Sequence, residues 1–132
     1  MNTKVRQCLT ALAAGLLTGA ASYGSYRLTG GAPEAVNTIP KMLLICLAGP
    51  LLEEAVFRGI VFKVAKPYTG AGWAVVLCAV LFALAHWGIP RSFLAFGAGL
   101  VFGALRVKHD TLLSPIFAHV AANVILAVLQ AM

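Results

Sequence analysis

The 132 residues are 61% hydrophobic and 11% charged, with a mean hydropathy of +0.91. Soluble domains carry about 25% charged residues, so the composition argues against a soluble domain and for one membrane-embedded domain over residues 1–132. The net charge of +6 is no sign of a nucleic-acid binder, because the basic residues punctuate apolar runs as the flanks of membrane spans do.

Residues 1–7 carry Lys4 and Arg6 ahead of an apolar run rich in small residues. Residues 8–26 read as a signal-anchor helix that is retained, with Tyr23 and Tyr26 at its far interface; a cleavable signal peptide is the alternative. Gly15 and Gly19 form a GxxxG step suited to close helix approach. A loop follows, marked by Gly30, Gly31, Pro33 and Pro40. The second span is expected over residues 42–62, kinked at Pro50 and closed by Lys63, Lys66, Pro67 and Gly70. A third covers 72–87 and ends at Gly88-Ile89-Pro90-Arg91. A fourth, 92–105, carries Gly97, Gly99 and Gly103 for tight packing. After the polar break 106–110, the last span starts near Thr111 or Pro115, where proline suits a first helical turn.

The fold class expected is therefore all-α: a polytopic membrane helix bundle of about five transmembrane helices, with the core helices over 42–131. With the N-terminus cytoplasmic, Lys4, Arg6, Lys63, Lys66, Arg106 and Lys108 lie inside, against Arg27, Lys41 and Arg91 outside. The positive-inside rule favours that orientation; the location expected is a bacterial cytoplasmic membrane. Cys8, Cys46 and Cys78 are odd in number, show no metal-binding spacing and read as small packing residues.

Four acidic residues occur in the chain, and two of them, Glu53 and Glu54, are adjacent inside the second span. A carboxylate at membrane depth costs roughly 2.5–3.5 kcal/mol on insertion scales, which makes it a functional-site hypothesis. Glu54 and Arg58 are four apart and can pair on one helix face, leaving Glu53 pointing about 100° away and free for other work. Phe82 and His86 share a face of the third span, as do His119 and Asn123 in the last. The structural alternative is a set of interhelical polar clamps, worth about 0.6 kcal/mol per bond in membranes. His109 reads as a solvated bystander and Ser114 as a helix cap.

Together Glu53, Glu54, His86, His119 and Asn123 form a polar set from three spans. A carboxylate near a histidine can hold and deprotonate water, and neighbouring donors can steady the oxyanion formed when that water attacks a carbonyl. Peptide or ester hydrolysis within the membrane is the chemistry this set suits. The spans put His86 in the outer half of the bilayer and His119 nearer the inner side. A kink at Pro50 and a re-entrant start near Pro115 would bring them level.

The series Glu53-Glu54-Ala55-Val56-Phe57-Arg58 followed by glycine, then Phe82-xxx-His86, then His119-xxx-Asn123, resembles the type II CAAX prenyl endopeptidase family. That family, also called CPBP or Abi, comprises glutamate-type intramembrane proteases, and the motifs appear in its order between about residues 49 and 125. Ser114-Pro115 ahead of His119 also looks like the family's approach to its last motif. The resemblance implies Glu53 as the base that activates water, assisted by His86, with His119 and Asn123 binding the oxyanion. Glu54, Arg58 and Phe82 would support the site, and the substrate would be a membrane-anchored protein or peptide carrying a C-terminal sorting tag or CAAX-like end. No cofactor is expected; zinc on a glutamate and two histidines is an alternative. A non-catalytic membrane scaffold or bacteriocin-immunity protein, and a proton-relay or transport role, are the non-proteolytic readings.

Overall fold

The structure is a computed structural model that describes residues 1–31 and 35–132; Pro33, expected as a loop breaker, lies outside the described residues. The described residues form four helices: α1 (Thr3–Thr29), α2 (Ile39–Leu84), α3 (Ile89–His109) and α4 (Leu113–Ala131). No strand occurs among the described residues. The all-α bundle is as expected, and α2 is bent into two arms where two spans were expected. The second and third spans are continuous through Lys63, Lys66 and Pro67 and break only at Gly70, whose backbone (φ 79°, ψ 163°) lies in a region open essentially to glycine. There α2 folds back on itself. The arm 71–84 packs antiparallel on the arm 39–69, as shown by Cys78 Sγ donating to the Phe57 carbonyl (3.0 Å) and by Phe57 against Phe82.

The solvent for this fold is lipid, and the distribution of side chains says so. Leucines, valines and isoleucines such as Leu17, Leu52, Ile60, Val64 and Leu84 are exposed, whereas the largest fully buried side chains include Arg58 and Glu54. In lipid the exposed apolar surface costs nothing, and helices associate through close packing and polar contacts instead. Among the described residues two helices, Ile39–Leu84 and Leu113–Ala131, are long and apolar enough to cross a membrane by length and composition alone.

π-helical segments stand on either side of Pro50, at Leu44–Ala48 and Ala55–Val61. In the first, the Gly49 N–H turns to the Leu44 carbonyl, and Pro50 has no N–H to offer. The Ile45 carbonyl is thereby left without a backbone donor, and Asn123 Nδ2 of α4 supplies one at 2.8 Å. A π-bulge at a functional site is a recurrent device.

α1 lies along α4 in parallel. A Cβ on Gly15 would come within 2.2 Å of the Ala118 carbonyl oxygen, and one on Gly19 within 2.4 Å of that of Ala122. The GxxxG step is therefore the contact surface. α3 meets the second arm of α2 through Gly99 and Gly103, but Gly97 faces open space and takes no part in that packing. The polar turn after α3 differs from expectation. Ser114 does not cap α4; Thr111 Oγ1 accepts the Leu113 N–H, and Ser114 is buried and hydrogen-bonded to His109 Nδ1 at 2.8 Å. His109 is accordingly half-buried rather than a solvated bystander.

Two outcomes follow from this packing. Gly15→Leu should lower the thermal midpoint in detergent by an amount corresponding to about 1–3 kcal/mol of overpacking, whereas Gly97→Ala should leave it unchanged. Desolvation by burial and, secondarily, the Lys108 ammonium hold His109 below its ordinary range. The neutral ring's contribution is thus present above the unfolded value of about 6.5 and lost as the pH falls through the lower folded value. Thermal scans between pH 7.5 and 5 should show a decline that is smaller in His109→Gln.

Candidate active site

The site is built around one buried ion pair. Glu54 and Arg58 stand one turn apart on the first arm of α2, both with 0% exposure, and Arg58 Nη1 donates to Glu54 Oε1 at 3.1 Å. Breaking such a pair leaves an uncompensated charge in a low-dielectric interior. The fold therefore surrounds the guanidinium closely. Its Nη2 donates to the Gly99 carbonyl of α3 at 3.0 Å, an approach that glycine permits, since a Cβ there would lie 2.9 Å from Ala79 Cα and 3.3 Å from Nη2. Three rings flank the cation, Phe82 at 4.7 Å, Phe102 at 5.7 Å and Phe57 at 6.0 Å from centroid to Cζ, within cation–π range. Glu54 Oε2 and Arg58 Nε have no hydrogen-bond partner among the described residues.

The same Glu54 Oε1 accepts a hydrogen bond from His119 Nδ1 at 2.9 Å. An ionised carboxylate has no proton to give, so the ring donates through Nδ1 and turns Nε2 the other way. There it faces Glu53 Oε2 at 3.6 Å. Phe102 stacks on the ring at 4.9 Å and Phe82 meets it edge-on at 5.6 Å, fixing its plane. His119 thus stands between the two glutamates. Glu54 Oε1 is taken by Arg58 and His119 and the side chain is sealed from the cavity, whereas the Glu53 side chain retains 34% exposure.

His86 lies just beyond the end of α2, in the turn before α3. Its Nδ1 approaches the Phe82 carbonyl at 2.8 Å; a carbonyl can only accept, so Nδ1 carries the hydrogen and the Nε2 lone pair is free on the neutral ring. Phe82 sits beneath it with ring centroids 4.5 Å apart. Because Phe82 touches both His86 and His119, the two imidazoles stand at neighbouring depths with no re-entrant segment at Pro115. Glu53, His86, His119 and Asn123 all line one cavity of about 400 Å³.

Every site residue expected from the motifs is therefore at or directly behind this cavity, with Glu54 and Arg58 behind its floor. Asn123 carries a structural bond to Ile45 as well as a cavity face. Sequence reasoning missed Phe102, which stacks on His119, and the carbonyls of Gly99 and Ile45. The small-residue stripe of α3 was the available signal for the first two; the third depends on a π segment that no spacing reveals. α1 also reaches the cavity, through Thr18, Ser22 and Tyr26. Among the described residues no group of three or more His, Cys, Asp or Glu side chains is placed to hold a metal.

Three comparisons bear on this geometry. A family model described as type II CAAX prenyl endopeptidase, Rce1-like, matches residues 35–125, which run from just before α2 into α4. A Bacillus subtilis (strain 168) protein named "Putative membrane peptidase YdiL" is 28% identical over 98 residues, covering 74% of this chain and 40% of the relative. The chain thus spans well under half of that relative's length. No solved structure matches.

The ion pair generates a direct test. Arg58→Met should destabilise the protein by about 3–5 kcal/mol by stranding Glu54, read as a lower midpoint of thermal unfolding in detergent. The Glu54→Gln/Arg58→Met double variant should recover part of the loss. A single variant as stable as wild type would show that the pair does not hold the core.

Proposed function

The chain belongs to the Rce1-like type II CAAX prenyl endopeptidase family, and we propose that it is a glutamic-type intramembrane endopeptidase. Its substrate is a membrane-associated protein, cleaved near a C-terminal sorting tag or CAAX-like end. The observation that carries this reading is the division of labour between adjacent carboxylates: Glu54 is consumed by Arg58 and His119, and Glu53 stands half-exposed on the cavity wall beside His119 Nε2. The peptidase name of the Bacillus subtilis relative supports it.

In this reading Glu53 takes a proton from a water that His86 orients by accepting its second hydrogen through Nε2. The resulting hydroxide attacks the scissile carbonyl carbon, and the carbonyl electron pair moves to oxygen. His119 Nε2–H and the second N–H of Asn123 Nδ2 donate to that oxyanion. Collapse of the tetrahedral intermediate breaks the C–N bond as Glu53 returns its proton to the leaving amine. The donation from His119 to the oxyanion requires a hydrogen on Nε2 as well as on Nδ1, a doubly protonated ring faced by the Glu53 and Glu54 carboxylates. Glu54 acts through His119, as a positioning residue. No cofactor enters the scheme. The protein works in a bacterial cytoplasmic membrane with its N-terminus cytoplasmic, α1 retained as part of the bundle.

Comparison of protein termini in membrane and secreted fractions tests the proposal. Cells carrying wild type should show C-termini absent from cells carrying Glu53→Gln at equal protein level. Identical termini, with the phenotype kept, would favour a non-catalytic scaffold or immunity role instead.

A further inference from the structure

The cavity has a second polar region that the hydrolytic residues do not use. Phe102 of α3 stacks on His119 of α4, and the two helices run antiparallel. Arg91 lies eleven residues before Phe102, and Gln130 eleven residues after His119. At 1.5 Å per residue both stand about 16 Å above the His119 level, at the same height. α1 runs parallel to α4, with Gly19 against Ala122, so Tyr26, seven residues past Gly19, reaches that height too. All three side chains line the cavity.

None of the three has a hydrogen-bond or ion-pair partner among the described residues. Arg91 is exposed at the mouth. Gln130 is the less expected group: both its Nε2 and Oε1 are buried without a partner. A buried amide left unpaired is costly and calls for an explanation. An amide that both donates and accepts is the complement of a peptide unit, and a guanidinium is the complement of a carboxylate. The wall between this rim and the floor is largely apolar, with Leu94, Ala95, Ala98 and Leu126 among its residues, which suits the side chains of an extended segment.

We propose that Arg91 and Gln130 form a substrate-recognition subsite at the cavity mouth, in which Arg91 binds a carboxylate of the peptide and Gln130 pairs with its backbone. The identity of the occupant rests on the endopeptidase reading. The carboxylate is either the free C-terminus of the substrate or an acidic side chain near it. Arg91 is a specificity-determining residue here, not a catalytic one. A cation at this mouth also favours approach of an anionic chain end from the outer headgroup region, a contribution that salt screens.

The test uses the full chain carrying Glu53→Gln, so that nothing is cleaved, in nanodiscs of uncharged phosphatidylcholine. The probes are N-palmitoylated alanine–leucine peptides ending in a free carboxylate, in a carboxamide, or in an amidated aspartate. The free acid should bind at least about tenfold more tightly than the amide. Arg91→Gln should bring that ratio to about one, and Arg91→Lys should retain part of it. Gln130→Leu should weaken acid and amide by similar factors. Tight binding of the amidated aspartate peptide would assign the recognised carboxylate to a side chain, whereas its weakness would assign it to the chain terminus; both support the subsite. Equal affinity for acid and amide, a preference that survives Arg91→Gln, or no binding of either peptide would overturn it. So would an effect of Arg91→Gln confined to retention on anionic vesicles, which would make the ligand a lipid phosphate. Hydrolysis of the acid peptide by protein with Glu53 intact is scored separately. Its absence alongside a preserved acid preference would sink the endopeptidase reading and leave the subsite standing.

Discussion

Two opposite charges buried at membrane depth are the constraint to which the remaining structure answers. Arg58 and Glu54 are wholly enclosed, and a charge in that setting is tolerated only when it is paired and hydrogen-bonded. Each neighbouring feature serves that requirement. Gly99 brings a carbonyl to Nη2, three phenylalanines present ring faces to the guanidinium, and His119 completes the coordination of Glu54 Oε1. The consequence reaches the chemistry directly. A carboxylate held in place takes the Nδ1 hydrogen of His119 and so aims Nε2 at Glu53. This is the familiar logic in which a second acid orients a working imidazole, built here from adjacent residues of one helix.

The surrounding bundle is consistent with lipid as its solvent. Its outer face is leucine, valine and isoleucine, and its helix contacts run through Gly15, Gly19, Gly99 and Gly103. Close backbone approach replaces the hydrophobic drive that water would supply. In the irregular part of α2, Asn123 satisfies the carbonyl released by the Leu44–Ala48 π segment. Backbone departures from α-helix at membrane depth are tolerated where a neighbouring helix re-satisfies the freed group.

Much of the site was legible because helical spacing is a local property. The i, i+4 relations of Glu54 with Arg58 and His119 with Asn123, and the separation of Glu53 from Glu54, depend only on 3.6 residues per turn. So does Phe82 beneath His86, although His86 itself lies past the helix end. What could not be read depends on tertiary geometry or on backbone state. The residue pattern ended the second span at Phe62, whereas the first arm of α2 runs on through Lys63 and Pro67 to the break at Gly70. The His109–Ser114 bond joins the ends of two helices across a turn whose shape is set by packing. The coincidence in height of Tyr26, Arg91 and Gln130 required knowing which helices run parallel and which residues abut. Composition foretold a membrane bundle, but the reversal between the two arms of α2 is a matter of a single dihedral pair at Gly70.

The claim on which the account depends is that Glu54 holds His119 through Nδ1. Side-chain ¹⁵N shifts of His119, in protein labelled at histidine and reconstituted in lipid, measure this most directly. The account predicts a protonated Nδ1 in wild type and its loss in Glu54→Gln. A His119 ring protonated at Nε2 alone in wild type, or unchanged shifts in Glu54→Gln, would contradict it.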